Sequence, residues 1–142
     1  MMLREDKGQV SVEFMLIFAI SLIILIVFTL PLADSAIGNT LDVANTLKVK
    51  SDMYEISSAV SQVYAEGQGS KRSVIIFSDS NIRITADKKC LSADLRLNDD
   101  SHKLIKSGHN SNLGNSLINI KKGKNIVVVE WPAGNEKMSI SS

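Results

Sequence analysis

Residues 14–30 decide the fold: they read FMLIFAISLIILIVFTL and contain no charged residue. A helix rises about 1.5 Å per residue, so about 20 residues of this kind cross a bilayer core of about 30 Å. Each leucine, isoleucine, phenylalanine or valine favours insertion by about 0.3 to 0.6 kcal/mol, whereas one acidic residue at the centre costs about 2.5 to 3.5 kcal/mol. Glu13 stands at the edge of the run, where its cost is smaller, and a membrane-inserted helix is therefore predicted.

The apolar pattern continues beyond Pro31 with a different spacing. Apolar residues recur at mostly three- and four-residue steps, which is typical of a helix with one apolar stripe. They are Ile37, Leu41, Ala44, Leu47, Met53, Ile56, Val60 and Val63. Gly67 and Gly69 end the pattern, and no cluster of polar loop residues interrupts it near Pro31 or Gly38. We predict one helix over residues 12–65, on the order of 80 Å long.

From Lys71 onward the sequence changes to short runs rich in valine and isoleucine, separated by turn-forming residues. The runs are residues 73–78, 81–86, 90–97, 103–105, 117–121 and 125–131. Alternation such as that of Ile82 and Ile84 suits a half-buried antiparallel sheet. The predicted fold class is α+β, with a long amino-terminal α-helix, transmembrane in its first half and amphipathic in its second, and a small carboxyl-terminal antiparallel β domain.

The two tyrosines and the tryptophan receive structural interpretations. Tyr54 and Tyr64 of the amphipathic stretch are predicted to pack against the sheet. Trp131 is predicted to close the core of the β domain and to end its last long strand, with a ligand-binding aromatic as the alternative.

Composition argues against several functions. The net charge of +1 and the scattered lysines provide no concentrated basic face, so nucleic acid is not an expected partner. Cys90 is the only cysteine, which rules out an intramolecular disulfide, and a buried thiol is favoured over pairing between chains. His102 and His109 lack the spacing of a metal site, and the acidic turn at residues 98–100 lacks the ligand pattern of a calcium loop. With no catalytic motif in view, we expect neither enzyme activity nor a cofactor or metal.

The junction before the apolar run carries the most specific signal. Residues 7–14 read KGQVSVEF. An ordinary secretory signal has its cleavage site after the apolar region, here nearest to residues 33–36, but this apolar run is too long and leads directly into the amphipathic stripe. The junction resembles the class III signal peptide of archaeal type IV pilin-like proteins. The resemblance covers roughly the first thirty residues and does not extend to the β domain.

The resemblance implies that a prepilin peptidase, a membrane aspartic protease, cuts between Gly8 and Gln9. Lys7, Ser11 and Phe14 complete the processing motif. The acidic pair at residues 5–6 departs from the family, whose leaders are usually more basic.

Glu13 matches the glutamate that the family has at the fifth mature position. A carboxylate at the edge of a hydrocarbon helix is costly unless it is paired, and the new ammonium group of Gln9, in the same or an adjacent subunit, would supply the partner. Glu13 is therefore predicted to set the register of assembly. The alternative is an interfacial glutamate that marks the membrane boundary.

Residues and resemblance together imply a cleaved leader over residues 1–8, a transmembrane and filament-core helix over 9–33, its amphipathic continuation over 34–66 and a β domain over 70–142. The expected protein is a major or minor structural subunit of an extracellular type IV pilus-like filament, with a role in surface adhesion. Its expected partners are the prepilin peptidase, an assembly ATPase, membrane platform proteins and other pilin subunits.

The precursor is expected to be a single-pass membrane protein with a cytoplasmic amino terminus, and the mature form to lie at the cell surface. Two alternatives stay open. The first is a single-pass membrane-anchored protein with an extracellular β-type binding domain, and the second is a secreted enzyme with an uncleaved signal.

Overall fold

The computed structural model describes the backbone of residues 5–142 and the side chains of residues 11–142. Helix α1 spans Glu5–Glu66 and is followed by seven strands. The strands are β1 (Lys71–Ser78), β2 (Ile82–Ala86), β3 (Cys90–Arg96), β4 (His102–Gly108), β5 (Ser116–Ile120), β6 (Gly123–Glu130) and β7 (Ser139–Ser141). The predicted α+β arrangement is confirmed. Residues 1–4 of the predicted leader lie outside the described residues.

Helix α1 contains 62 residues and begins before the predicted start at residue 12. Adding residues to an existing helix is easy compared with nucleating one, so the polar leader residues from Glu5 onward extend it. Pro31 lies inside the helix, although a proline has no backbone N–H to donate to the preceding turn. The helix ends where the glycines predicted, because Gly67 adopts φ +89° and its N–H donates to the carbonyl of Val63 at 3.1 Å.

The chain divides into two compact units, Met1–Leu41 and Asp42–Ser142. Within the described part of the first unit, none of residues 11–41 is buried. The second unit contains the rest of helix α1, all seven strands and the whole hydrophobic core.

The β domain contains two sheets. The first has three strands in the order β1-β6-β7, and the second has four in the order β4-β3-β2-β5. Every strand pair is antiparallel, as predicted. An isolated parallel bridge joins Leu113 to Met138 outside the strands.

One core cluster lies between the helix and the two sheets, and it buries members of all three elements. Met53, Ile56, Val60 and Val63 of the predicted stripe are fully buried there. The inward residues of the strands that complete the cluster include Ile76, Val127 and Val129 from the first sheet and Ile84, Leu91, Ala93 and Ile118 from the second.

Polar contacts fix the helix to the strands within the second unit. The buried Ser57 hydroxyl donates to the carbonyl of Gly108 at the end of β4. The Asp42 carboxylate accepts from the backbone N–H of Asn98 at 3.1 Å, in the turn between β3 and β4. Lys48 forms an ion pair of 3.0 Å with Asp79.

The first half of the predicted stripe is exposed. Ile37, Leu41, Ala44 and Leu47 all face outward, and burial starts at Val49, which the predicted stripe omitted. Periodicity identifies an apolar face, but a face is buried only where strands pack against it, and the helical members of the core begin at Val49.

The aromatic residues differ in how closely they pack against the β domain. Tyr54 is 71% exposed, so the prediction that it packs against the sheet is wrong. Tyr64 stacks on Trp131 with ring centroids 5.6 Å apart and an angle of 7° between the rings. Trp131 directly follows β6 and packs on the edge of the core, as predicted. Cys90 is half-buried at the start of β3, so the prediction of a buried thiol is also wrong.

Candidate functional site

The apolar run of helix α1 forms a continuous exposed surface. Its large apolar side chains are exposed by between 42% for Leu22 and 71% for Met15. The helix is strongly apolar over 18 consecutive residues, and none of that stretch is buried. By length and composition, this is a helix that could cross a membrane. The core helix of a soluble domain would instead bury such residues against other elements.

The predicted processing and register residues lie at the beginning of this surface. Ser11 and Phe14 are three residues apart, on neighbouring positions of one helix face, and both are exposed. Glu13 is also exposed and forms no ion pair with any described residue. The side chains of Lys7, Gly8 and Gln9 lie outside the described residues.

The two histidines have local hydrogen-bond partners. His102 forms an ion pair with Asp94 at 3.1 Å. The His109 Nε2–H donates to the carbonyl of Asp87 at 2.9 Å, and its Nδ1 accepts from the Ser111 hydroxyl at 2.9 Å. Burial lowers the pKa of His109 below its ordinary value of 6.5, and the bond to Asp87 opposes that shift.

The acidic turn at residues 98–100 is held by its own neighbours. The Asp99 carboxylate accepts from the hydroxyl and the backbone N–H of Ser101, and these bonds hold its pKa below the ordinary range. Asp100 adopts φ +62° and pairs with Arg96 at 2.7 Å. Across the described residues, no group of three or more His, Cys, Asp or Glu side chains is arranged to hold a metal ion.

A groove on the outer face of the four-stranded sheet was missed by the sequence interpretation. We call it the sheet-face groove, and its volume is about 500 Å³. Its side chains include Arg83, Thr85, Ser92, Asp94, Leu104 and Asn119. The available signal is the alternation of polar with apolar residues in β2 and β3, which by itself indicates only a half-buried antiparallel sheet.

Comparison with known proteins identifies the amino-terminal segment. Residues 7–32 match the family model described as class III signal peptide, the hallmark of type IV pilin-like prepilins. The resemblance inferred from residues 7–14 is thereby confirmed.

The chain therefore carries the class of signal that a prepilin peptidase processes. This signal and the exposed apolar helix are consistent with membrane anchoring of the precursor. The match ends at residue 32, so it does not describe the β domain. No curated protein and no solved structure gives a significant match to the chain.

Proposed function

We propose that the mature chain is a structural subunit, major or minor, of an extracellular type IV pilus-like filament. The observation that carries the proposal is the exposed apolar surface of residues 14–30 on a chain whose β domain already has a core of its own. Apolar surface of this extent is covered by lipid or by protein, because its contact with water is costly. Lipid covers it in the precursor, and the same helices of other subunits cover it in the filament.

Processing precedes assembly in this proposal. The precursor spans the membrane once with its amino terminus in the cytoplasm, and the prepilin peptidase cuts between Gly8 and Gln9. Because this bond lies before the apolar run, the helix stays in the mature chain, which consists of a core helix over residues 9–33, its continuation over 34–66 and a β domain over 70–142. Lys7, Ser11 and Phe14 present the cleaved bond.

Glu13 sets the register between subunits. Its carboxylate has no ion-pair partner in residues 11–142, and the ammonium group that cleavage creates on Gln9 supplies one within the same or an adjacent subunit. In a hydrocarbon environment such pairing strongly favours the one alignment in which both charges meet.

Extraction from the bilayer requires machinery outside this chain. An assembly ATPase and membrane platform proteins supply the work, and packing between apolar helices stabilises the product. The β domain lies on the outside, where it contributes to adhesion.

Cleavage is tested with a Gly8→Leu variant of the full chain, expressed together with a prepilin peptidase. We expect the unchanged chain to lose residues 1–8 and to begin at Gln9, and the variant to keep its precursor mass in the membrane fraction. Gly38→Ala is the matched control, because a Cβ at Gly38 meets no atom within 4 Å. Normal processing of Gly8→Leu would contradict the assigned cleavage site.

Filament membership is tested by shearing cells and identifying the protein in the released material. We expect the chain in sheared filaments, and we expect Glu13→Gln to reduce its incorporation without changing cleavage. Recovery only from detergent-solubilised membranes would instead support the alternative, a membrane-anchored protein with an extracellular binding domain.

A further inference from the structure

The sheet-face groove has an ordered floor made by residues that face each other across four strands. Arg83 of β2 lies opposite Asp94 of β3 on one side and Asn119 of β5 on the other. Leu104 of β4 lies opposite Asp94 and completes the row. Neighbouring strands are about 4.8 Å apart, so the row extends over about 14 Å. This is long enough for an extended ligand to lie across the sheet.

Several polar groups of the groove have no partner within the described residues. The Arg83 guanidinium, the Thr85 hydroxyl, the Asn119 amide and the Lys121 ammonium form no hydrogen bond or ion pair with residues 11–142. An arginine fork on a rigid strand presents parallel N–H donors that match a carboxylate. The second sheet therefore holds a set of unpaired, exposed donors on a fixed scaffold.

Charge is distributed unevenly across the groove. Arg83 and Lys121 form a cationic half on the β2 and β5 side, with Asn119 beside them. Asp94 lies on the β3 side, where His102 is its partner at 3.1 Å. The cationic half suits an anionic group, and the Asp94 half suits hydroxyl donors.

We propose that the sheet-face groove binds an extended saccharide that carries carboxylate groups, such as a polyuronate. Arg83 and Lys121 bind a carboxylate, Asn119 and Thr85 bind ring hydroxyls, and Asp94 accepts hydrogen bonds from hydroxyls at the far end. Leu104 offers an apolar contact to the face of a ring. This inference rests on the proposed function in one respect, since adhesion requires an exposed β domain.

Two other classes of polymer fit the groove less well. An extended peptide usually binds at a sheet edge, where it pairs with free backbone groups, whereas the groove lies on a sheet face and offers side chains. A single-stranded nucleic acid gains most from stacking on aromatic rings, and none of the groove residues is aromatic. A hydroxyl-rich ligand uses the mixture of donors and acceptors that is present.

The test measures binding of oligogalacturonate of defined length to the immobilised full chain in detergent at physiological salt. We expect Arg83→Gln to weaken binding about tenfold or more, because it removes a charge-assisted hydrogen bond. Asn119→Ala should weaken it about threefold or more through a neutral hydrogen bond. Lys124→Gln is the matched control, since it removes one exposed positive charge from β6 of the other sheet, and it should leave the affinity within about twofold.

Three outcomes would overturn the proposal. They are no binding by the unchanged chain, equal losses in Arg83→Gln and Lys124→Gln, and binding of neutral dextran or polyglutamate as tight as that of the uronate. Equal losses would indicate unspecific attraction, and tight polyglutamate binding would indicate an acidic peptide as ligand. Because the measurement needs no filament, its failure is separate from a failure of the shearing experiment.

Discussion

Helix α1 holds similar apolar residues before and after Leu41, yet it buries them only in the second stretch. Ile23 is 61% exposed, whereas Ile56 is completely buried. The two residues have the same side chain and lie in the same helix, so the difference comes from their surroundings. Ile56 contributes to the core beneath two sheets, and Ile23 has no comparable neighbours within the described chain.

This contrast separates folding from association. Burying one large aliphatic side chain is worth about 1.5 to 3 kcal/mol, and in the second stretch that free energy stabilises the β domain. In the first stretch the same free energy is still available to lipid or, in the proposed filament, to other subunits. The helix is thus one element with two energetic roles.

The largest expected effect comes from truncating the two isoleucines. Ile56→Ala should lower the free energy of unfolding of the β domain by about 2–5 kcal/mol, because it leaves a cavity in the core. Ile23→Ala should change it by less than about 0.5 kcal/mol. The measurement is urea unfolding of the full chain in detergent, followed by the fluorescence of Trp131, its only tryptophan. A comparable loss in Ile23→Ala would show that the first stretch supports the β domain.

The positions of the helix and of most strands could be predicted from the sequence, because they depend on local residue patterns. The helix was predicted over residues 12–65 and observed over Glu5–Glu66, and each of the six predicted runs falls on an observed strand. Strand β7 was missed, because Ser139–Ser141 has little pattern of its own and becomes a strand by pairing with β6. The end of the helix was also predicted correctly, because Gly67 adopts the positive φ that ends helices.

Tertiary packing and strand order could not be predicted from the sequence. Tyr54 and Tyr64 belong to one amphipathic stretch, and only the packing reveals that Tyr64 stacks on Trp131 whereas Tyr54 is 71% exposed. The sheet-face groove needs the strand order β4-β3-β2-β5, which brings Leu104 and Asn119 to the two ends of one row. Short runs of alternating residues do not determine strand order. The predicted register role of Glu13 stays a prediction, since it concerns contacts between subunits.

A smaller effect is expected from two serines that bond in different ways. The Ser21 hydroxyl donates to the carbonyl of Ile17 within its own helix, whereas the Ser57 hydroxyl reaches Gly108 at the end of β4. Ser57→Ala should therefore lower the free energy of unfolding by about 1 kcal/mol. Ser21→Ala should leave it within about 0.5 kcal/mol, because the helix backbone remains bonded. Equal effects in the same urea experiment would contradict a bridging role for Ser57.

Variants of Tyr54 and Tyr64 test whether the exposure of a side chain predicts its contribution to the free energy of unfolding. Tyr64→Ala removes the stack on Trp131 and should cost about 0.5–1.5 kcal/mol beyond the loss of buried area. Tyr54→Ala should cost less than about 0.5 kcal/mol, since Tyr54 is exposed. Because Tyr64→Ala alters the surroundings of Trp131, unfolding is followed here by the circular dichroism of the β domain. A cost for Tyr54→Ala would mean that Tyr54 contributes stability through contacts that its exposure does not reveal.

The smallest expected effect is a pH dependence of the free energy of unfolding, caused by His109 in the second unit. Burial holds the pKa of His109 below 6.5 in the folded chain, so the folded state binds fewer protons than the unfolded state as the pH falls through 6.5. Stability should therefore decline below about pH 6.5 and stop declining from this source once the pH is below the folded pKa. His109→Gln should remove that slope, and His102→Gln, the control at the other histidine, should retain it. A slope that is unchanged in His109→Gln would assign the pH dependence to other groups.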